Sequence, residues 1–67
     1  MKYSEIIKTL RVKLLLTQME FASILGVSFE SVNRWENGKN EPSFKIKRKV
    51  LQLAKENNIE VELDERN

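Results

Sequence analysis

Residues 17–38 read TQMEFASILGVSFESVNRWENG, and this stretch decides the fold. Thr17 can accept from the amide of Glu20 while the Glu20 side chain reaches back to the Thr17 amide, a reciprocal pair that starts a helix. Phe21, Ala22, Ile24 and Leu25 follow as its apolar positions, and Gly26 supplies a left-handed stop. The spacing therefore predicts a helix from Gln18 to Leu25, about two turns long. Val27 leads into Ser28, a second good N-cap. Val32 and Trp35 lie on one face of a third helix, which Asn37-Gly38 closes. Two short helices joined through Gly26-Val27-Ser28 have the spacing of a helix-turn-helix.

Upstream, Tyr3, Ile7, Leu10 and Leu14 step along one stripe of a helix expected from Ser4 to Leu14, with Ser4 as its cap and Lys13 near its negative pole. Downstream, Pro42-Ser43 open a fourth helix with Phe44, Ile46, Val50, Leu51, Leu53 and Ala54 as apolar positions, fading at Asn57-Asn58. The following Ile59-Glu60-Val61-Glu62-Leu63 alternates like a half-buried strand, but a lone strand finds no partner in this chain, and a frayed tail is the favoured reading. The expectation is thus an all-α bundle of four to five helices, with residues 1–57 as one domain and 58–67 as an acidic tail.

A 67-residue chain has room for one small core. It contains neither cysteine nor histidine, so a disulfide framework, a thiolate metal site and the commonest general base are all excluded. Enzymatic activity, a metal and a cofactor are not expected. Glu30 and Glu36 face different directions and make no catalytic pair. No membrane span or signal peptide is evident, so a cytoplasmic location is expected. A content of 40% hydrophobic and 33% charged residues is that of a folded domain. Residues 1–55 hold eleven Lys/Arg against five acids, whereas residues 56–67 hold Arg66 against five acids. A basic body with an acidic tail points to a polyanionic partner for the body.

With Val32 and Trp35 turned inward, Phe29, Glu30, Asn33, Arg34 and Asn37 form one outward stripe. Asn and Arg can pair bidentately with adenine and guanine in the major groove, Glu can accept from the cytosine amino group, and Phe can contact a thymine methyl. Double-stranded DNA is therefore the expected partner, with Phe29, Glu30, Asn33 and Arg34 reading bases. The register makes Trp35 a core residue rather than a stacking one. The run Lys45, Lys47, Arg48, Lys49 and Lys55 reads first as a solvated helix face. Within it, Lys45 and Lys47 are best placed to meet phosphate.

As a set, Thr17-Gln18, Glu20-Phe21-Ala22, Gly26-Val27-Ser28, Val32, Trp35-Glu36-Asn37-Gly38-Lys39 and Pro42-Ser43 closely resemble the phage-repressor and Cro-type (XRE-like) helix-turn-helix family. The resemblance covers about residues 3–55 and implies a lambda-repressor-like fold. It further implies phosphate contacts by Gln18, Ser28, Asn37, Lys39 and Asn40, and a salt bridge between Arg11 and Glu36. The base-reading positions transfer as positions only, since Phe29 and Glu30 depart from the Gln or Arg often found there. A sequence-specific transcriptional regulator follows, with weak dimerisation on a palindromic site and no small-molecule ligand. The alternative is an antitoxin-like or adaptor module in which residues 56–67 dock a protein and DNA binding is secondary.

Overall fold

A computed structural model describes residues 2–61. Its elements are α1 (Tyr3–Lys13), α2 (Gln18–Leu25), α3 (Phe29–Glu36) and α4 (Phe44–Glu56). The fold is all-helical, with no strand and no fifth helix among the described residues. None of these helices is long and apolar enough to cross a membrane. Helix α3 packs on both α2 and α1, while α4 leans on α2.

The core is assembled from one face of each helix. Ile6, Ile7 and Leu10 come from α1, Phe21, Ala22 and Leu25 from α2, Val32 and Trp35 from α3, and Ile46, Val50 and Ala54 from α4. Ile6 is an addition to the stripe expected for α1. The N-cap of that helix is Lys2 rather than Ser4, and its backbone N–H donates to Glu5 at 3.3 Å. Glu5 can reach the open end of the helix only with the start one turn before it, so Ser4 falls inside. Phe44 was expected among the apolar positions of α4 but is mostly exposed. It lies two residues before Ile46 and so away from the Ile46, Val50 and Ala54 face, and its ring is 5.4 Å from the Lys47 ammonium. Ile59 and Val61 pack half-buried against the core. Leu63 and most of the acidic tail lie outside the described residues.

All four helices stop in the same way. In each, one residue adopts a left-handed conformation, and the next amide reaches back five residues to a carbonyl in the last turn. These bonds are Leu16 to Arg11 (3.0 Å), Val27 to Ala22 (3.0 Å), Lys39 to Arg34 (3.0 Å) and Ile59 to Ala54 (2.9 Å). The left-handed residues are Leu15, Gly26, Gly38 and Asn58, at φ 58°, 75°, 73° and 56°. Glycine has no side chain to clash there and asparagine tolerates the region, but leucine does not favour it. Leu15 is also 89% exposed, so no packing offsets its strain.

A charge pair ties the first helix to the third. Arg11 Nε donates to Glu36 Oε2 at 2.6 Å and Nη2 to Oε1 at 3.0 Å, the paired-fork geometry of a strong ion pair. The third guanidinium nitrogen, Nη1, donates to the Leu16 carbonyl at 3.0 Å. The Glu36 side chain is only 5% exposed and that of Arg11 16%. Burial pushes the Glu36 carboxyl up, but hydrogen bonds from Arg11 and Gln18, with the charges of Arg11 and Lys8, hold it below its ordinary value. The hydrogen bond to Glu36 correspondingly raises Arg11, against its partial burial.

Three stability measurements follow from this packing. Leu15→Gly is expected to stabilise the fold by about 1 kcal/mol, a rise of several degrees in Tm, whereas Leu15→Val lowers it; a fall with Gly would show that the leucine side chain is held. Glu36→Ala and Arg11→Ala should each cost on the order of 3 kcal/mol, with the double variant costing far less than their sum. Additive urea midpoints would mean that the pair does not couple. Because the folded carboxyl is depressed, its contribution is present above the unfolded value of about 4.3 and is lost as pH falls through the folded value. Glu36→Gln should therefore remove part of the acid-induced fall in urea midpoint, and an unchanged pH profile would contradict the depressed carboxyl.

Candidate nucleic-acid interface

Two capped helices present the site. The Glu20 amide donates to Thr17 Oγ1 at 3.1 Å and the Thr17 amide to Glu20 Oε1 at 2.9 Å, so the start of α2 is held from both sides. Ser28 caps α3 by accepting from the Ser31 amide at 3.2 Å, and the two hydroxyls lie 3.0 Å apart. Between the helices Gly26 closes α2, while Lys49 Nζ from α4 donates to the Leu25 carbonyl at 3.3 Å. A cation on the last carbonyls of a helix meets its negative pole. The two capped ends and the single turn between them set the angle of α3 against α2.

The inward face of α3 is Val32 and Trp35, and its outward face is open. Glu30 and Arg34 are exposed, and among the described residues the side chain of neither makes a hydrogen bond or ion pair. They stand one turn apart, so a carboxylate and a guanidinium are displayed side by side. Phe29 is 41% exposed at the first turn. A partly exposed aromatic beside two free charges is a surface suited to base edges, which offer methyl groups, donors and acceptors together.

Asn33 differs from its neighbours. It is half-buried, and its Nδ2 donates to Gln18 Oε1 at 3.1 Å. Gln18, the first residue of α2, is also half-buried and passes the bond on, with Nε2 donating to Glu36 Oε1 at 3.0 Å. From the far side, Asn37 Nδ2 donates to the Asn33 carbonyl at 2.9 Å and to Asn33 Oδ1 at 3.1 Å. Three of the expected site residues, Gln18, Asn33 and Asn37, are thus brought into one chain ending on the Arg11–Glu36 pair. Asn37 and Asn33 are four residues apart, but no spacing signal in the sequence marks the links through Gln18, because these bridge α2 and α3. Residues 37–40 lie exposed immediately after it, with Lys39 and Asn40 at the surface.

The basic face of α4 is only partly available. Lys47 pairs with Glu41 at 2.8 Å and sits 4.6 Å from the centre of the Tyr3 ring, and Lys49 is engaged with Leu25. Lys45, Arg48 and Lys55 are exposed. Among the described residues no group of acidic side chains is placed to hold a metal ion.

A family model described as a helix-turn-helix matches residues 7–53, most of the chain and all of α2 and α3. No curated protein and no solved structure matches the chain at a significant level. The matched segment begins within α1, spans the Arg11–Glu36 pair and ends in α4. With its two capped helices, its three-residue turn and the exposed stripe on α3, the chain belongs to the Cro-type, XRE-like family of DNA-binding helix-turn-helix proteins.

Proposed function

We propose that this protein is a sequence-specific regulator of transcription that lays α3 in the major groove of double-stranded DNA. The observation that carries the reading is the outward face of α3. An Arg34 guanidinium and a Glu30 carboxylate, neither with a partner among the described residues, stand there beside Phe29, on a helix whose other face is packed into the core. Arg34 is suited to the two acceptors of guanine, Glu30 to the amino group of cytosine, and Phe29 to a thymine methyl.

Phosphate contacts set the position of such a helix and much of its affinity. Lys39 and Asn40 in the exposed loop after α3 are suited to that task, as are Ser28 and Asn37 at the two ends of the helix and Gln18 at the start of α2. The positive pole of α2 favours an anion at the same place, beside the Glu20 carboxylate that already caps the Thr17 amide. Recognition of a palindromic site by two copies, with half-sites about one helical turn apart, fits a reading helix this short. The chain would use no cofactor.

Selection of bound duplexes from a randomised pool gives the site, and two variants then test the roles. Lys39→Ala should weaken binding to every sequence alike and lower the magnitude of the slope of log affinity against log salt by about one. Arg34→Ala should leave Tm nearly unchanged but relax the preference at one base pair of each half-site, where the wild type discriminates by roughly 1–3 kcal/mol. Equal weakening on every sequence in Arg34→Ala, with relative preferences unchanged, would place that side chain on the phosphate backbone. Absence of any selected sequence would end the reading itself.

A further inference from the structure

Three side-chain amides at the interface are strung in one direction. Asn37 Nδ2 donates to Asn33 Oδ1, Asn33 Nδ2 to Gln18 Oε1, and Gln18 Nε2 to Glu36 Oε1. An amide donates only from nitrogen and accepts only at oxygen, and an ionised carboxylate only accepts. Glu36 therefore dictates which way the Gln18 amide faces, since its reverse would set oxygen against oxygen. Gln18, so turned, offers its oxygen to Asn33 and requires a donor there. Asn33 is the residue that supplies it, and its own orientation is checked from the far side by Asn37.

The same bonds restrict what Asn33 can do with a base. Bidentate recognition of adenine uses both the oxygen and the nitrogen of the amide together. In Asn33 the oxygen accepts from Asn37 and the nitrogen donates to Gln18, which leaves one hydrogen and one lone pair but fixes the plane of the amide, and the residue is half-buried rather than exposed like Glu30 and Arg34. Turning it toward a base would take the donor away from Gln18. The Gln18 nitrogen is not exhausted, because an NH2 group has two hydrogens and Glu36 uses one. Among the described residues its second hydrogen has no acceptor, and it stands at the first turn of α2, beside the Glu20 carboxylate that already meets the helix pole.

We propose that Asn33 is a positioning residue and not a base reader: from the side opposite Glu36 it steadies the Gln18 amide in the orientation from which Gln18 can donate to a DNA phosphate. This rests on the DNA-binding reading given above. It makes Asn33 a determinant of affinity for all sequences, although it stands on the helix that selects among them.

Two measurements on the intact chain test the assignment. In the free protein, the side-chain NH2 signals of Gln18 are read by nuclear magnetic resonance in the wild type, in Asn33→Ala and in Asn33→Asp. The aspartate keeps the shape of asparagine but has no donor, so both variants should move the Gln18 signals, and unmoved signals in both overturn the proposal. With duplex DNA, affinities for the selected site and its single-base variants are measured for Asn33→Ala, Gln18→Ala and the double variant, below the melting temperature of each. Each single change is expected to weaken binding to all sequences by roughly three- to tenfold, the worth of one hydrogen bond. The double variant should bind no more weakly than the weaker single, and base preference should be unchanged. A residue that only supported the fold would leave these affinities intact. Relaxed preference at one base pair in Asn33→Ala, or additive losses in the double variant, overturns the proposal. A wild type that binds no duplex at all removes the DNA reading and this inference with it, and is seen before any variant is measured.

Discussion

The Glu36 carboxylate sits at the end of α3 almost out of contact with water, and a charge so placed is tolerated only when it is met by a partner with good geometry. Arg11 meets it with two nitrogens and uses the third to hold the Leu16 carbonyl in the link to α2. One ion pair thereby joins α1, the α1–α2 turn and α3. Gln18 adds α2 through the oxygen that Arg11 Nη2 also reaches. Nonpolar contacts make the bundle compact, but they are indifferent to small rotations of a helix about its axis. A directional contact at the far end of α3 is not. It locks the rotation of α3 that the burial of Val32 and Trp35 sets.

The helices that carry the interface are short, and helices of this length do not persist in water on their own. Each has eight residues, so most of its backbone groups belong to one end or the other. That is why the ends are so fully furnished: Thr17 with Glu20, Ser28 with Ser31, the Lys49 ammonium on Leu25, and the same reversed turn closing each helix. Stability in this chain is local bookkeeping at helix ends plus one small core. The exception is Leu15, where the turn is made by a residue poorly suited to it.

What was legible in the sequence is what depends on neighbours along the chain. The Thr17–Glu20 pair, the Gly26 stop, the Ser28 cap and the inward register of Val32 and Trp35 all act within a few residues, and each is found where the spacing puts it. Phe44 differs because apolar character is not burial: it lies two residues before Ile46, on the opposite side of α4 from the Ile46, Val50 and Ala54 face. Ile59 and Val61 alternate as a strand would, but they are laid on the bundle by the reversed turn at Asn58 rather than by pairing. Asn33 shows the limit most clearly. Its position on the helix is shared with Glu30 and Arg34, and only the approach of Gln18 from another helix separates it from them.

The placement of charge across α3 bears on how affinity and selectivity would be divided. Basic residues outnumber acids in the body of the chain, but Arg11 is consumed by Glu36, Lys47 by Glu41 and Lys49 by a helix end. Arg34 and Lys39 remain exposed at the interface, and Glu30 stands beside Arg34 with no partner among the described residues. A free carboxylate on a surface that meets a polyanion lowers affinity for every sequence, because it is repelled by phosphate and must be desolvated in the groove. That cost is offset only where a base offers a donor, as the cytosine amino group does. A side chain that is costly against most sequences and neutral against a few discriminates by exclusion. On the DNA reading, Glu30 therefore contributes nothing to the attraction that brings the protein to a duplex, and its value lies in the sites it makes the protein leave.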